Sequence, residues 1–329
     1  MLNRFRFVFA VLIAAIAAPA YGQDVELAWK FAKDAKFSQT MKTKTSQTMK
    51  LMGQDVRQDQ DQEFVFTWTV KDVNDKAVVL EQKIDSVNMT ITIGTNKISY
   101  NSKDTNASEN PLSTFFRPLI GSSFTVTLNP NTMKVEKVDG REEFVKKLTE
   151  ANPQMAALLK VILSDDQLKQ MAEPPFMVTP DKGKKVKPGD TWTRESKLVM
   201  GPIGSYDAKY IYTYKGPEKL TLDGKEGTYE KIEMKTELTY KPPDPKEPTT
   251  LPFKIEGGSL KATEATGTIY FDKDKGRVVK TDMKVKLEGK LNISVADQKA
   301  DVELTQTQDT TTLTADAAAA TPAATPEKK

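Results

Sequence analysis

Val279 to Val295 reads VKTDMKVKLEGKLNISV, and its alternation decides the fold. Odd positions carry Val279, Thr281, Met283, Val285, Leu287, Gly289, Leu291, Ile293 and Val295. Even positions carry Lys280, Asp282, Lys284, Lys286, Glu288, Lys290, Asn292 and Ser294. One face is apolar and the other charged, as in an antiparallel strand with one wet face. At ~3.3 Å per residue the strand spans ~56 Å. A compact body of ~300 residues has a radius of gyration of only ~19 Å. The strand therefore crosses the whole body and must bend with it, and Gly289 is the expected bend.

The same period governs Phe37 to Met52 and Asp55 to Lys71, with Gly53-Gln54 between them. If those two residues form the loop, the pairing sets Leu51 opposite Val56, Met41 opposite Phe66 and Phe37 opposite Val70 on one face. The other face then pairs Lys44 with Glu63, Ser46 with Asp61 and Thr48 with Asp59. A one-residue slip would mix the faces, and Gly in the first loop position suits a II′ turn. The flaw of this register is Lys50 opposite Arg57, which nearby Asp55 and Asp59 would offset.

The pattern recurs. Leu51-Met52-Gly53 is echoed by Val199-Met200-Gly201, and Phe64-Val65-Phe66-Thr67-Trp68 by Tyr210-Ile211-Tyr212-Thr213-Tyr214. Each apolar tip leads into an aromatic strand, a turn and another strand. Two readings stand: a diverged tandem duplication, or two β-meanders that look alike. Between the halves lies the helical material. Asn110-Pro111 offers an N-cap and an N1 proline before Leu112 to Ile120. Phe144, Val145, Leu148, Met155, Leu158, Leu159 and Ile162 recur at helical spacing, broken at Asn152-Pro153. Ser164 with Gln167 forms a capping box for a further helix ending before Pro174-Pro175. The second half instead carries a proline-rich loop, Lys241 to Pro252.

These elements predict a mainly β (α+β) fold. It is a large curved antiparallel sheet or half-barrel made of two related halves, with a few helices between them packed on the sheet. The expected divisions are a signal peptide at 1–22, a first half at 23–175 with helices at about 111–120 and 141–172, and a second half at 176–314. An Ala/Thr/Pro tail at 315–329 is expected to be disordered.

The chain has 329 residues, 48 Lys+Arg, 45 Asp+Glu, no His and no Cys. Without His there is no imidazole base, Ser-His-Asp triad or His-ligated metal. Without Cys there is no disulfide, thiolate nucleophile or CxxC zinc site. The near-balanced charge demands no nucleic-acid partner. Arg4 and Arg6 precede the apolar run Phe7 to Ala18 and then Ala20-Tyr21-Gly22, which reads as a secretory signal cleaved after Gly22. Removing it lowers the net charge from +3 to +1. The alternative is a retained membrane anchor, but the run is shorter than the ~20 residues a spanning helix needs. No later stretch approaches that length. An exported protein, periplasmic or extracellular, is expected.

The signal peptide, the Lys/Met/Thr-rich opening hairpin, Asn110-Pro111-Leu112 and the stretch GSSFTVTLNP through KVEKVDG (Gly121 to Gly140), followed by a helix, resemble an uncharacterised secreted bacterial family. It is domain-of-unknown-function family 6263, mostly from planctomycetes. The resemblance covers most of the chain after the signal. It implies a secreted β-rich protein and brings no activity or site residues. The architecture is also similar to lipoprotein carriers of the LolA/LolB kind, an analogy of fold alone.

Residues that could carry chemistry each have a plainer reading. Asp272-x-Asp274-x-Gly276 has the look of a calcium loop but lacks the third ligand and distal Glu; a hairpin turn accounts for it. Asp55, Asp59, Asp61 and Glu63 line one strand face and could hold a hard cation or act as an acid/base pair, or could answer Lys42 and Lys44 across the hairpin. Lys280, Lys284, Lys286 and Lys290 could hold an anionic polymer, but Asp282 and Glu288 interleave them. The ladders Phe64/Phe66/Trp68 and Tyr210/Tyr212/Tyr214 could line a ligand cavity or form ordinary core.

Two features resist the plain account. Thr43, Thr45, Gln47, Gln58, Gln60 and Gln62 interrupt the apolar face of the first hairpin. Both hairpin tips are apolar, with Leu51 and Met52 on the first and Met200 and Ile203 on the second; they either dock on the helices or stand exposed. The expected function is non-enzymatic, with no cofactor, metal or catalytic residue. The protein would bind or carry an apolar or lipid-like ligand in the concave sheet. The alternatives are an envelope structural or interaction protein acting through its hairpin tips, and a carboxylate-based hydrolase.

Overall fold

The computed structural model describes residues 24–317 apart from 52, 107, 245, 247–250, 252, 296 and 297. The expected signal peptide, the tip residue Met52, part of the proline-rich loop and positions 318–329 of the expected tail lie outside the described residues.

In chain order the elements are β1 (Val25–Glu26), β2 (Lys36–Leu51), β3 (Gln54–Val73), β4 (Val78–Ile93), β5 (Asn96–Asn101), α1 (Pro111–Phe116), β6 (Ser123–Leu128), β7 (Val135–Asp139), α2 (Arg141–Ala151), α3 (Ala156–Ile162) and α4 (Asp165–Ala172). They continue as β8 (Lys185–Val186), β9 (Thr191–Val199), β10 (Ser205–Leu222), β11 (Lys225–Lys241), β12 (Lys254–Asp272), β13 (Arg277–Val295) and β14 (Gln298–Asp316). The fold is mainly β, with one large antiparallel sheet. Its path is β7-β6-β4-β3-β2-β14-β13-β12-β11-β10-β9, and β5 pairs with β4. β1 and β8 make a separate two-stranded ribbon.

The sheet is strongly curled. Laid flat, ten strand spacings of ~4.8 Å would hold β7 and β9 about 48 Å apart. Yet α4, eight residues and so ~12 Å long, lies against both. Two side chains join it to the unpaired edges. Glu173, just past α4, accepts from the backbone N–H of Val135 at 3.1 Å, and Gln170 Oε1 accepts from that of Val199 at 3.2 Å. The sheet does not close by strand pairing; a helix bridges its seam.

The first hairpin departs from the expected register by two residues. Lys44 faces Asp61, Met41 faces Phe64, Thr43 faces Gln62 and Leu51 faces Gln54, so Gln54 is already paired within β3 and not part of the expected Gly53-Gln54 loop. Gly53 has φ +81°, the left-handed region that glycine enters without strain. The reason is electrostatic: this register sets Lys50 opposite Asp55 and removes the clash with Arg57. Because the shift is two residues, the faces keep their assignment.

The long strand bends through its partner. Irregular pairing on β12 at Ile255/Gly257 and Ala262/Glu264 brackets the pair Leu260–Gly289. A Cβ at Gly289 would lie 2.0 Å from the Ser259 carbonyl oxygen. Gly289 thus makes room for a bend carried by β12. At its far end β14 runs to Asp316, two residues into the stretch expected to be tail. There Asp316 bonds Lys275 Nζ at 2.6 Å and also Arg277.

Asn110 caps α1, accepting from Leu112 and Ser113 N–H, while Ser113 Oγ accepts from Asn110 N–H at 2.8 Å. Asn152 ends α2 ahead of a 3-10 turn at Pro153–Met155. Ser164 stands at the N-cap of α4 but makes no side-chain cap bond, contrary to the expected capping box, and Gln167 is buried.

The three apolar clusters lie on one face of the sheet. At one end, Leu27, Val178, Val186, Trp192, Tyr212, Tyr214, Ile232 and Phe271 pack together, beside Trp68, Val70, Leu80, Val126, Leu128 and Phe176. Trp29 ties the two groups. Its indole N–H donates to Phe176 O at 3.0 Å and its ring meets Phe271 edge-on at 5.8 Å. This end is plugged. On the β4 side, Leu119, Leu148 and Leu159 of the helical segment bury against Ile84, Val87, Met89 and Tyr100.

Candidate functional site

Antiparallel pairing sets the β2–β3, β4–β5, β9–β10 and β13–β14 connections on one rim, opposite the plugged end. Nine large apolar side chains are exposed among the described residues. Six of them, Leu51, Val56, Ile93, Leu198, Ile203 and Val295, stand at this rim, between 39% and 46% exposed. Register and alternation place all but the turn residue Ile203 on the packed, inner face. Leu51 lies in one row with Val302 and Leu291, and Met49 in the next with Val56 and Leu304. The rim is therefore a mouth with an apolar inner lip.

Beneath the lip the inner face turns polar without becoming charged. Gln58, Gln60 and Gln62 on β3 face Gln47, Thr45 and Thr43 on β2, which face Gln306, Gln308 and Thr310 on β14. Thr43 and Thr310 share a hydroxyl–hydroxyl bond at 3.2 Å, and the Gln60 amide donates to Gln62 at 3.0 Å. The opposite face is ionic. Lys42 meets Glu63 at 3.1 Å, Lys44 meets Asp61 at 4.0 Å and Arg57 meets Asp59 at 2.9 Å. Bonds from Ser46 and Arg57 hold the Asp59 carboxyl below the usual carboxylate range. The acidic row is thus answered across and along the hairpin.

Two open grooves flank this arrangement. One, about 570 Å³, lies between β4 and the helices, lined by Met89, Ile91, Leu112, Phe115, Phe116 and Met155 among others. A larger one, about 740 Å³, crosses β10 to β14 on the charged face. Asp282 in it bonds Lys280 at 2.8 Å and Thr311 at 2.8 Å. The larger groove is wet and ionic; the smaller adjoins the lip.

The aromatic ladders fall on two walls of the curl. Phe64 and Phe66 stack at 5.7 Å, and Phe64 meets Phe116 edge-on at 5.8 Å, close to the smaller groove. Trp68 is buried, stacked on Phe37, with its indole N–H on Gln39. Tyr210 is half-buried, Tyr212 stacks on Trp192 at 5.6 Å, and Tyr214 donates to buried Glu230 at 2.5 Å. Burial pushes the phenols of Tyr210, Tyr212 and Tyr214 above their ordinary range. The two ladders do not converge on one cavity.

The tips differ as well. Leu51 stands exposed at the end of β2. The second tip, Gly201–Ile203, lies against α3 and β12, and Tyr240 Oη donates to Ile203 O at 2.6 Å. Met200 is half-buried and Ile203 is exposed. Sequence reasoning placed Val56 with Leu51 at the first apolar tip and missed Ile93, Leu198 and Val295 as lip residues. The signal was an apolar residue at a strand end, which becomes a cluster only once distant strands are set side by side.

Residues 75–299 match a family of unknown function, DUF6263. The chain belongs to that family. No curated protein matches this DUF6263 chain. Among solved structures it is similar to OccK5 (OpdH) of Pseudomonas aeruginosa, at 6% identity over 86% of this chain and 100% of that one, with a TM-score of 0.24. The translocator domain of the autotransporter NalP from Neisseria meningitidis matches at 6% identity over 86% and 90%, with a TM-score of 0.22. A DUF1329 family protein from Desulfovibrio piger matches at 8% identity over 82% and 84%, with a TM-score of 0.14. At such TM-scores these likenesses bear on neither strand path nor function. No helix among the described residues is long and apolar enough to cross a membrane.

Proposed function

We propose that this DUF6263 protein is an exported, non-enzymatic binder or carrier of an apolar, lipid-like ligand that enters through the mouth of the curled sheet. The observation that carries the reading is the lip: six of nine exposed large apolar side chains gather on one rim, five of them on inward-facing positions. Scattered exposed apolar residues are ordinary, but apolar side chains gathered along one rim of a concave sheet suit an apolar partner. The acids of the outer face are engaged in ion pairs, which weighs toward binding over hydrolysis. The signal-like start supports export.

A second reading, an envelope interaction protein, is favoured by the first tip, where Leu51 is exposed at the strand end. Solvent extraction and a hydrophobic-dye titration of the purified protein test the two. Binding predicts a lipid-like molecule in the extract or saturable dye uptake. Clean extracts with no uptake, together with reproducible protein crosslinks in cells, would replace the first reading with the second.

A further inference from the structure

The inner face above the Thr43–Gln62 row is not only apolar at its lip; among the described residues it carries no ionisable side chain on six adjacent strands. On β3 the inward positions up to the lip are Gln62, Gln60 and Gln58, and on β2 Thr43, Thr45 and Gln47. β14 adds Thr310, Gln308 and Gln306. β13 adds Met283, Val285 and Leu287 opposite them, and β12 and β4 contribute only Gly, Ala, Leu, Ile and Met. The same strands carry a dense ionic array on the outer face, so the neutrality belongs to one face and not to the composition of the strands.

We propose that the ligand is an uncharged amphiphile, with an acyl-like chain against the lip and a non-ionic head of the polyol or amide kind against the Thr/Gln band. This rests on the reading of the mouth as an apolar-ligand site. A charged head drawn beneath the lip meets no counter-charge, and an unpaired charge out of water is costly. Hydroxyls and primary amides both donate and accept, so Thr43, Thr45, Gln58, Gln60 and Gln308 can pair with a neutral head in either sense.

Calorimetric titration of the full chain with a monoacylglycerol, and with the ionised fatty acid of the same chain length, tests the assignment below the micelle concentration of each. The monoacylglycerol should bind more tightly by about tenfold or more. Gln60→Glu and Gln308→Glu should each weaken it about tenfold at an unchanged melting temperature. Gln308→Lys should shift the preference toward the fatty acid, which keeps the test open if a Glu variant misfolds. Equal or tighter fatty-acid binding by the parent protein overturns the neutral head and leaves the mouth as an apolar site. Charge variants that leave the preference unmoved also overturn it. Binding of neither amphiphile removes the head assignment and the proposed function together.

Discussion

Glu173 accepts a hydrogen bond from the backbone N–H of Val135 at 3.1 Å, so a carboxylate beside α4 stands where a neighbouring strand would pair with β7. Gln170 does the same for Val199 on β9. A sheet edge left open offers unpaired N–H groups to other chains, and here two side chains three residues apart serve both edges. Removing a hydrogen bond to a charged acceptor costs about 1.5–3 kcal/mol, and a neutral one about 1 kcal/mol. Glu173→Ala should therefore lower the melting temperature more than Gln170→Ala. Amide exchange should quicken first at Val135 in one variant and at Val199 in the other. Unchanged exchange at both amides would show that α4 does not hold the seam.

The register of β2 and β3 can be read directly, because the chain has no cysteine of its own. Thr43 and Gln62 are directly opposed, within the Cα separation a disulfide spans, whereas Thr45 and Gln62 are offset by two residues. Oxidation should crosslink the Thr43→Cys/Gln62→Cys variant and leave Thr45→Cys/Gln62→Cys reduced. The reverse pattern would restore the Gly53-Gln54 turn.

Lip and core respond differently to truncation. Leu51→Ser and Ile93→Ser remove half-exposed side chains and should cost within about 1 kcal/mol while lowering hydrophobic-dye binding. Leu159→Ala, at a position only 1% exposed, should cost about 2–5 kcal/mol with the dye site intact. A lip variant that melts as low as the core variant would make the lip a packing feature.

Alkali should unfold the protein early. Burial raises the phenols of Tyr206, Tyr210, Tyr212, Tyr214, Tyr240 and Tyr270 above the ordinary value of 10.0, and Tyr206 is pushed up to about 12. The fold prefers the neutral phenol. Its advantage is complete below the unfolded value and shrinks as pH rises from about 10 to about 12. Thermal melts across that window should fall steadily, with tyrosinate absorbance rising only as the structure is lost. Free ionisation of all the tyrosines in a folded protein at pH ~10 would contradict their burial.

Gly289→Ala places a methyl group 2.0 Å from the Ser259 carbonyl. Where most glycines within strands gain stability on such a change, this one should lose about 1–3 kcal/mol by overpacking, read as a lower denaturant midpoint.

The sequence made the faces legible because side chains alternate with period two whatever the partner. Val279 to Val295 and the first hairpin both keep the faces assigned to them. Parity cannot distinguish registers two residues apart, so the turn depended on weighing Lys50 against Asp55 or Arg57, and the charge pair decided it. Asn110 and Asn152 act locally and could be read; Ser164 was read as a cap bond it does not make. The lip, the neutral face on β14 and the seam residues Gln170 and Glu173 could not be read. Each depends on which distant strand lies alongside, and no local pattern encodes that.

β14 lies beside β2, with Asp316 opposite Phe37 and Val302 opposite Leu51. The first long strand to be synthesised thus waits for the last to complete its ladder. Pairings between such remote segments are slow because the loop they close must be ordered first. Until then β2 offers a bare edge whose middle inner side chains, Thr43, Thr45 and Gln47, are polar and whose outer ones include Lys42, Lys44 and Lys50. A strand of that kind has little to offer another hydrophobic chain. The uncharged polar band beneath the lip therefore also leaves the middle of that waiting edge with little apolar surface.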